Sequence, residues 1–231
     1  MQRTAVLTIA VLASAIGLAG CGSTSNTTKA PSASATLTTT VAKEAAQAKV
    51  APRSVVPGPN PTIAGYIQQN SITETPVHRG DPGAPTIDLP IPDGWAAAGP
   101  ETPTTAYWAI IDTGPEAAKY TPSIVVTVSK LTGNVDLQKI LDLASGELKN
   151  LPSFKPMGDG SATTLSDFPG YQFGGTWVDN GQSKAVAQKT VVVPASGGVY
   201  LLRLNADCLE EQIGQALPAT ITIDEKTKII P

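Results

Sequence analysis

The chain has 231 residues, with 16 Lys plus Arg against 19 Asp plus Glu, for a formal charge of −3 at neutral pH. It carries no basic cluster, which excludes nucleic acid as a partner and electrostatic adhesion to anionic headgroups as a mode of attachment. A single histidine excludes paired-histidine motifs and any two-histidine zinc site.

Met1 to Gly20 reads as a targeting segment: Arg3 supplies a thin positive start, and Ala5 to Leu18 is an apolar run of signal-peptide length. That run is too short and too rich in Ala, Ser and Gly for a spanning helix, which needs about 20 apolar residues. The tetrapeptide Leu18-Ala19-Gly20-Cys21 resembles the bacterial lipobox. The resemblance implies diacylglycerol on the Cys21 thiol and cleavage that leaves Cys21 as the mature N-terminus. The expected location is therefore the cell membrane, lipid-anchored on its extracytoplasmic side. Two or three acyl chains exceed what reversible binding through a single chain allows, so the attachment is expected to be firm. With Cys21 consumed, Cys208 has no intramolecular partner, and no disulfide framework is expected.

Gly22 to Pro59 is read as a tether: "GSTSNTTKAPSASATLTTT" is low-complexity Ser/Thr/Ala/Pro, and "KVAPRSVVPGPNP" ends it in prolines. Such a composition buries too little apolar surface to offset its ordering entropy. The expected organisation is a signal peptide at 1–20, an acylated cysteine and tether at 21–59, and one domain at 60–231. A domain of that length buries about 70% of its unfolded surface and needs neither disulfides nor metal.

Within the domain, "NPTIAGYIQQN" predicts a helix capped by Asn60, with Ile63, Tyr66 and Ile67 on one face. "TETPVHRGDPGAP" is loop, and "TIDLPIP" is a short strand whose prolines sit at an edge or strand end. "TAYWAIID" and "SIVVTVSKL" are further strands; in the second, Ile124, Val126 and Val128 face one way and Val125, Thr127 and Ser129 the other. "NVDLQKILDLASGELKNL" predicts one continuous amphipathic helix, capped by Asn134 or Asp136 and stopped by Pro152. A meander follows through "YQFGGTWVDNGQSKAVAQKTVVVP" and "GGVYLLRLNA", with Asn180-Gly181 as its hairpin turn. "CLEEQIGQAL" predicts a closing helix that starts near Cys208 and buries Leu209, Ile213 and Leu217. Hairpin-linked strands with a few helices imply an α+β fold, an antiparallel sheet covered by helices.

No catalytic constellation is legible. G-x-S-x-G, phosphate-binding glycine loops and calcium loops do not occur. His78 sits beside Arg79 and Asp81, but a loop histidine is the default reading. The same loop contains Arg-Gly-Asp at 79–81, an integrin-type tripeptide, which motivates an alternative role: a surface-exposed or shed virulence factor binding a host protein. Trp95 and Trp108 read first as core packing. The alternative is that their rings, with that of Tyr66, line a groove and stack on a sugar or alkyl chain. Asp81, Asp88 and Asp93 would then accept hydrogen bonds from sugar hydroxyls.

Three stretches, "TIAGYIQQNSITETPVHRGDPGAPTIDLPIPDGW", "SKLTGNVDLQKILDLASGELKNLPSFKPMGDGSATTL" and "VAQKTVVVPASGGVYLLRLNADCLEEQ", resemble the mycobacterial LpqN/LpqT lipoprotein family, in its LpqN branch. The likeness runs from about residue 60 onward. It implies a PsbP-like fold, an α/β/α sandwich with a central antiparallel sheet. It also implies an envelope lipoprotein that works with RND-type mycolate glycolipid exporters and binds trehalose monomycolate or a similar glycolipid. The family has no established catalytic residues or cofactor, so none is expected.

Overall fold

The computed structural model describes Val50, Arg53 and residues 56–231 apart from Ser196; Cys21, the signal peptide and most of the expected tether lie outside these residues. Helix α1 (Ile63–Gln69) is capped by Thr62, whose side chain accepts from the Gly65 N–H, rather than by Asn60 as the sequence suggested. Asn60 instead exchanges hydrogen bonds with Asn150, ninety residues away. The competing tertiary contact explains why the cap moved by two residues.

After α1 come β1 (Thr73–Val77), β2 (Thr86–Asp88), β3 (Trp95–Ala97), β4 (Trp108–Asp112) and β5 (Ser123–Thr132). Two short helices follow, α2 (Leu137–Asp142) and α3 (Gly146–Lys149). The single helix expected over this stretch is broken between them. Its start is capped by Asp136, whose carboxylate accepts from the Lys139 N–H. The break sits where Gly146 passes under the start of α1: a Cβ there would lie 1.8 Å from the Pro61 carbonyl oxygen. The chain bends to bring a glycine to that crossing.

The second half contains β6 (Lys155–Pro156), β7 (Ser161–Leu165), β8 (Phe168–Asp179), β9 (Gln182–Ala195) and β10 (Gly198–Leu209), then helix α4 (Ile213–Lys226) and β11 (Lys228–Ile230). The β8–β9 turn is Asn180-Gly181, with φ of 48° and 79°; both residues take the left-handed conformation that a two-residue hairpin requires. The main sheet runs β3-β4-β5-β10-β9-β8-β6, with β1 also on β5 and β7 also on β8. Every pairing is antiparallel. β2 pairs only with β11, so the expected edge strand forms a separate two-stranded sheet.

Period-2 alternation divides the sheet into two faces. Ile124, Val126, Val128, Val191, Val193, Leu202 and Leu204 point to one, where Ala219 and Ile223 of α4 and Ile87 and Ile229 of the small sheet complete the core. Leu131, Val192 and Leu201 point to the other, beneath Ile63, Ile67 and Ile140. Helices on both faces of one antiparallel sheet make the α/β/α sandwich that was expected.

The end of the chain departs most from the sequence reading. Cys208 belongs to β10, not to a helix start, and is 4% exposed. Helix α4 continues through Pro218 and the β-branched run "TITI", burying Ala216, Ala219 and Ile223, while Leu217 is 54% exposed. Pro218 removes one N–H from the ladder but leaves the buried stripe intact.

Candidate functional site

On the α4 face, three strands set out a row of minimal side chains. Gly174 pairs with Ala187, Ala187 with Ala206, and Ala206 with Ile124. The neighbouring row places Ala185 against Cys208. A Cβ at Gly174 would stand 2.8 Å from the Val186 carbonyl oxygen, so that position holds glycine. These side chains are short, and between them and α4 two adjoining hollows remain of about 360 Å³ and about 210 Å³. Met157, Gly174, Ala187, Ala206 and Thr220 line both, so they form one groove. Met157 and Leu217 stand at its wall and are 59% and 54% exposed, leaving flexible apolar side chains where the groove meets solvent.

The groove is chemically two-ended. One end is lined by Ala185, Val186, Cys208, Ile213 and Ala216. The other carries Ser161, Gln172, Lys189 and Asp224. Lys189 is 8% exposed and its Nζ lies 2.7 Å from Asp224 Oδ2, bridging β9 to α4. Gln172 Nε2 donates to Ser161 Oγ at 3.1 Å across β8 and β7. Burial, with a contribution from neighbouring Asp207, pushes the Cys208 thiol up to about 12, so it lines the apolar end as an inert group. This arrangement suits an amphiphile, with an alkyl chain under α4 and hydroxyls or amides at the polar end.

The opposite face of β10 is polar after Leu201. Arg203 lies between Glu147 at 3.0 Å and Glu74 at 3.4 Å. Arg53 Nη2 donates to Asn205 Oδ1 at 2.7 Å, and the Tyr120 hydroxyl donates to Asp207. Burial raises the Asp207 carboxyl despite that bond and nearby Lys184 and Arg53. Burial lowers Arg53. Arg53, Glu147, Arg203, Asn205 and Asp207 border a hollow of about 290 Å³. Ahead of residue 60, Val50 packs on Ala98, Ala109 and Ile111, and Arg53 reaches Asn205.

The six residues singled out in the sequence do not converge. Trp108 is 8% exposed within the core, and Trp95 packs against the same cluster half-buried. Tyr66 lies on α1, where its hydroxyl accepts from the Asp136 N–H at 3.0 Å. Asp88 and Asp93 are exposed. Asp81 accepts the His78 N–H at 2.7 Å, so the carboxylate of the Arg-Gly-Asp loop is engaged by its own turn. None of the six lines the groove or the polar hollow. His78 is exposed, with Nε2 3.2 Å from the Thr104 carbonyl oxygen. Among the described residues no group of three His, Cys, Asp or Glu side chains could hold a metal ion. The signal that could have found the groove is the recurrence of Gly and Ala in "FGGTW" and "KAVAQ", small residues inside strands that otherwise favour bulk.

Comparison with known proteins adds an independent line. A family model described as "Probable lipoprotein LpqN" matches residues 59–230. Lipoprotein LpqN of Mycobacterium tuberculosis is 52% identical over 174 residues, covering 75% of this chain and 76% of that protein. A crystal structure of LpqN, described as involved in cell envelope biogenesis of Mycobacterium tuberculosis, superposes with a TM-score of 0.71 at 50% identity, over 75% of this chain and all of that one. Among the described residues no helix is long and apolar enough to cross a membrane. Sequence match, identity and superposition agree, and the chain belongs to the LpqN lipoprotein family.

Proposed function

We propose that this protein is an envelope lipoprotein, acylated at Cys21 and held on the extracytoplasmic side of the cell membrane. Its domain binds a mycolic-acid glycolipid of the trehalose monomycolate kind and serves as an adaptor for RND-type exporters. The observation that carries the binding step is the two-ended groove under α4, apolar at Ala185, Cys208 and Ala216 and polar at Ser161, Gln172 and Lys189. Each methylene moved from water into it contributes about 0.8 kcal/mol, set against the cost of immobilising the ligand. The described relative involved in envelope biogenesis supports the setting, and the lipobox at Leu18 to Cys21 supports the anchor.

The test is native mass spectrometry of the protein expressed in a mycobacterial host, with photo-crosslinking in the same cells. A co-purifying glycolipid that is lost in Ala187→Trp, together with crosslinks to an exporter, is the expected result. Ala187 is exposed in the groove floor, so the indole fills the groove without entering the core. Absence of bound glycolipid in the wild type would overturn the binding step, and absence of exporter crosslinks would overturn the adaptor step.

A further inference from the structure

The outer face of α4 lacks the charges that a surface helix ordinarily turns to solvent. Its stretch "IGQALPATIT", residues 213–222, carries no charged side chain, although Gly214, Gln215, Leu217, Pro218 and Ile221 are exposed. Charge returns only at Asp224 and Glu225, and Asp224 is already held by Lys189. Leu217 and Ile221, four residues apart and so neighbours on the helix surface, are 54% and 48% exposed. Met157 shares the groove lining with Leu217. Its N–H donates to the Gly174 carbonyl oxygen at 3.0 Å, which ties it to β8 at the groove floor while its side chain stays exposed. Six large apolar side chains are exposed among the described residues, and these are three of them. Single exposed apolar residues scatter without meaning; a cluster at the rim of an apolar groove marks a contact surface.

We propose that Met157, Leu217 and Ile221 dock on the surface of the lipid bilayer, so that the groove opens onto the membrane and an alkyl chain passes between the two without crossing water. The proposal rests on the groove and the Cys21 anchor put forward above. Cys21 precedes Val50 by 29 residues, a length of chain that reaches at most about 100 Å in any conformation. An anchored domain therefore never leaves the neighbourhood of the bilayer, and a weak patch suffices because the second contact is intramolecular. Area argues against a second copy of the chain as the occupant. Three half-exposed side chains offer a few hundred Å², whereas a stable dimer buries about 800 Å² on each partner. Charge argues for shallow apolar insertion, since α4 presents no basic residue before Lys226 to draw anionic headgroups. The benefit lies in transfer: each methylene exposed to water on the way disfavours the passage about fourfold, and a groove mouth seated in the bilayer removes that exposure.

The acylated mature chain, stripped of bound lipid, is reconstituted in phosphatidylcholine vesicles that contain a spin-labelled lipid quencher. An environment-sensitive dye is placed at Ile221→Cys or, for comparison, at Gln138→Cys on the exposed side of α2; Cys208 is buried and stays unlabelled. Quenching by the bilayer is expected at 221 and not at 138, unchanged by salt or by added anionic lipid. Leu217→Ser or Met157→Ser, each at an exposed position, is expected to lower the ratio of docked to undocked chain about fivefold. Equal quenching at the two positions, none at 221, or quenching that needs anionic lipid overturns the proposal. So does a dye response at 221 that grows with protein concentration in the absence of vesicles, which identifies a second copy as the occupant. Glycolipid retained by a chain whose position 221 stays unquenched overturns the docking and leaves the groove reading intact. Quenching at 221 in a chain that retains no glycolipid supports the docking and overturns the groove reading alone.

Discussion

Replacing Asp224 by Ala and Lys189 by Met should have unequal effects, and the inequality follows from burial. The two side chains are 2.7 Å apart, but Lys189 is 8% exposed and Asp224 is 38% exposed. Asp224→Ala strands the ammonium under α4, with only Thr163 Oγ1 nearby at 3.4 Å. Removing one partner of a fully buried pair costs about 3–5 kcal/mol. The exposure of Asp224 discounts this, because solvent already screens part of the attraction, to about 1–2 kcal/mol. Lys189→Met removes the charge, keeps most of the stem and lets Asp224 hydrate, so its cost should stay within about 0.5 kcal/mol. For a domain of this size the first change lowers the Tm by roughly 3–6 °C and the second by no more than about 2 °C. The assay is urea unfolding followed by tryptophan fluorescence, with thermal scans in parallel. If Lys189→Met destabilises as much as Asp224→Ala, the pair is net stabilising and this reasoning fails.

Gly146→Ala should cost about 3 kcal/mol, because the new methyl would meet backbone, the Pro61 carbonyl oxygen; equilibrium unfolding with an unchanged m-value checks it. Burial raises the Asp207 carboxyl among Tyr120, Lys184, Arg53 and Asp179, so the folded chain holds that proton more tightly than the unfolded one. Wild-type stability must then fall as pH rises above the unfolded value of about 4, and Asp207→Asn should gain relative to wild type as pH rises through and above that value. Unfolding at several pH values measures that difference, and a constant difference would contradict it. In the Cys21→Ser chain, the Cys208 thiol, 4% exposed and pushed up to about 12, should resist iodoacetamide at about pH 8 in the native state and react fully in denaturant. Mass spectrometry of the two samples gives the answer.

What the sequence showed clearly was local. Alternation at Ile124, Val126 and Val128 and the Asn180-Gly181 turn are each decided by neighbours in the chain, and both appear as expected. Long-range contacts decided the rest. Asn150 drew Asn60 away from capping α1, and the Gly146–Pro61 crossing broke a helix whose apolar stripe was unbroken in sequence. Pro218 and the threonines after it argue locally against helix, yet burying Ala219 and Ile223 on the sheet outweighs that preference. The groove was hidden for a different reason. It is made by absent side chains at Gly174, Ala187 and Ala206, brought into one row by registers that sequence spacing does not reveal. Tyr66, Trp95 and Trp108 were conspicuous as single residues, and each is engaged by packing or by a hydrogen bond within the fold.

The central claim is that the α4 groove holds an alkyl chain. A trehalose monoester with a diazirine on its acyl chain, irradiated with the mature protein and mapped by peptide mass spectrometry, tests it most directly. Label at Met157, Ala187, Leu217 and Thr220, the residues that line the groove, is the predicted result. Label concentrated at Tyr66, Asp88 or Trp95, or none above that of an unrelated protein, would contradict it.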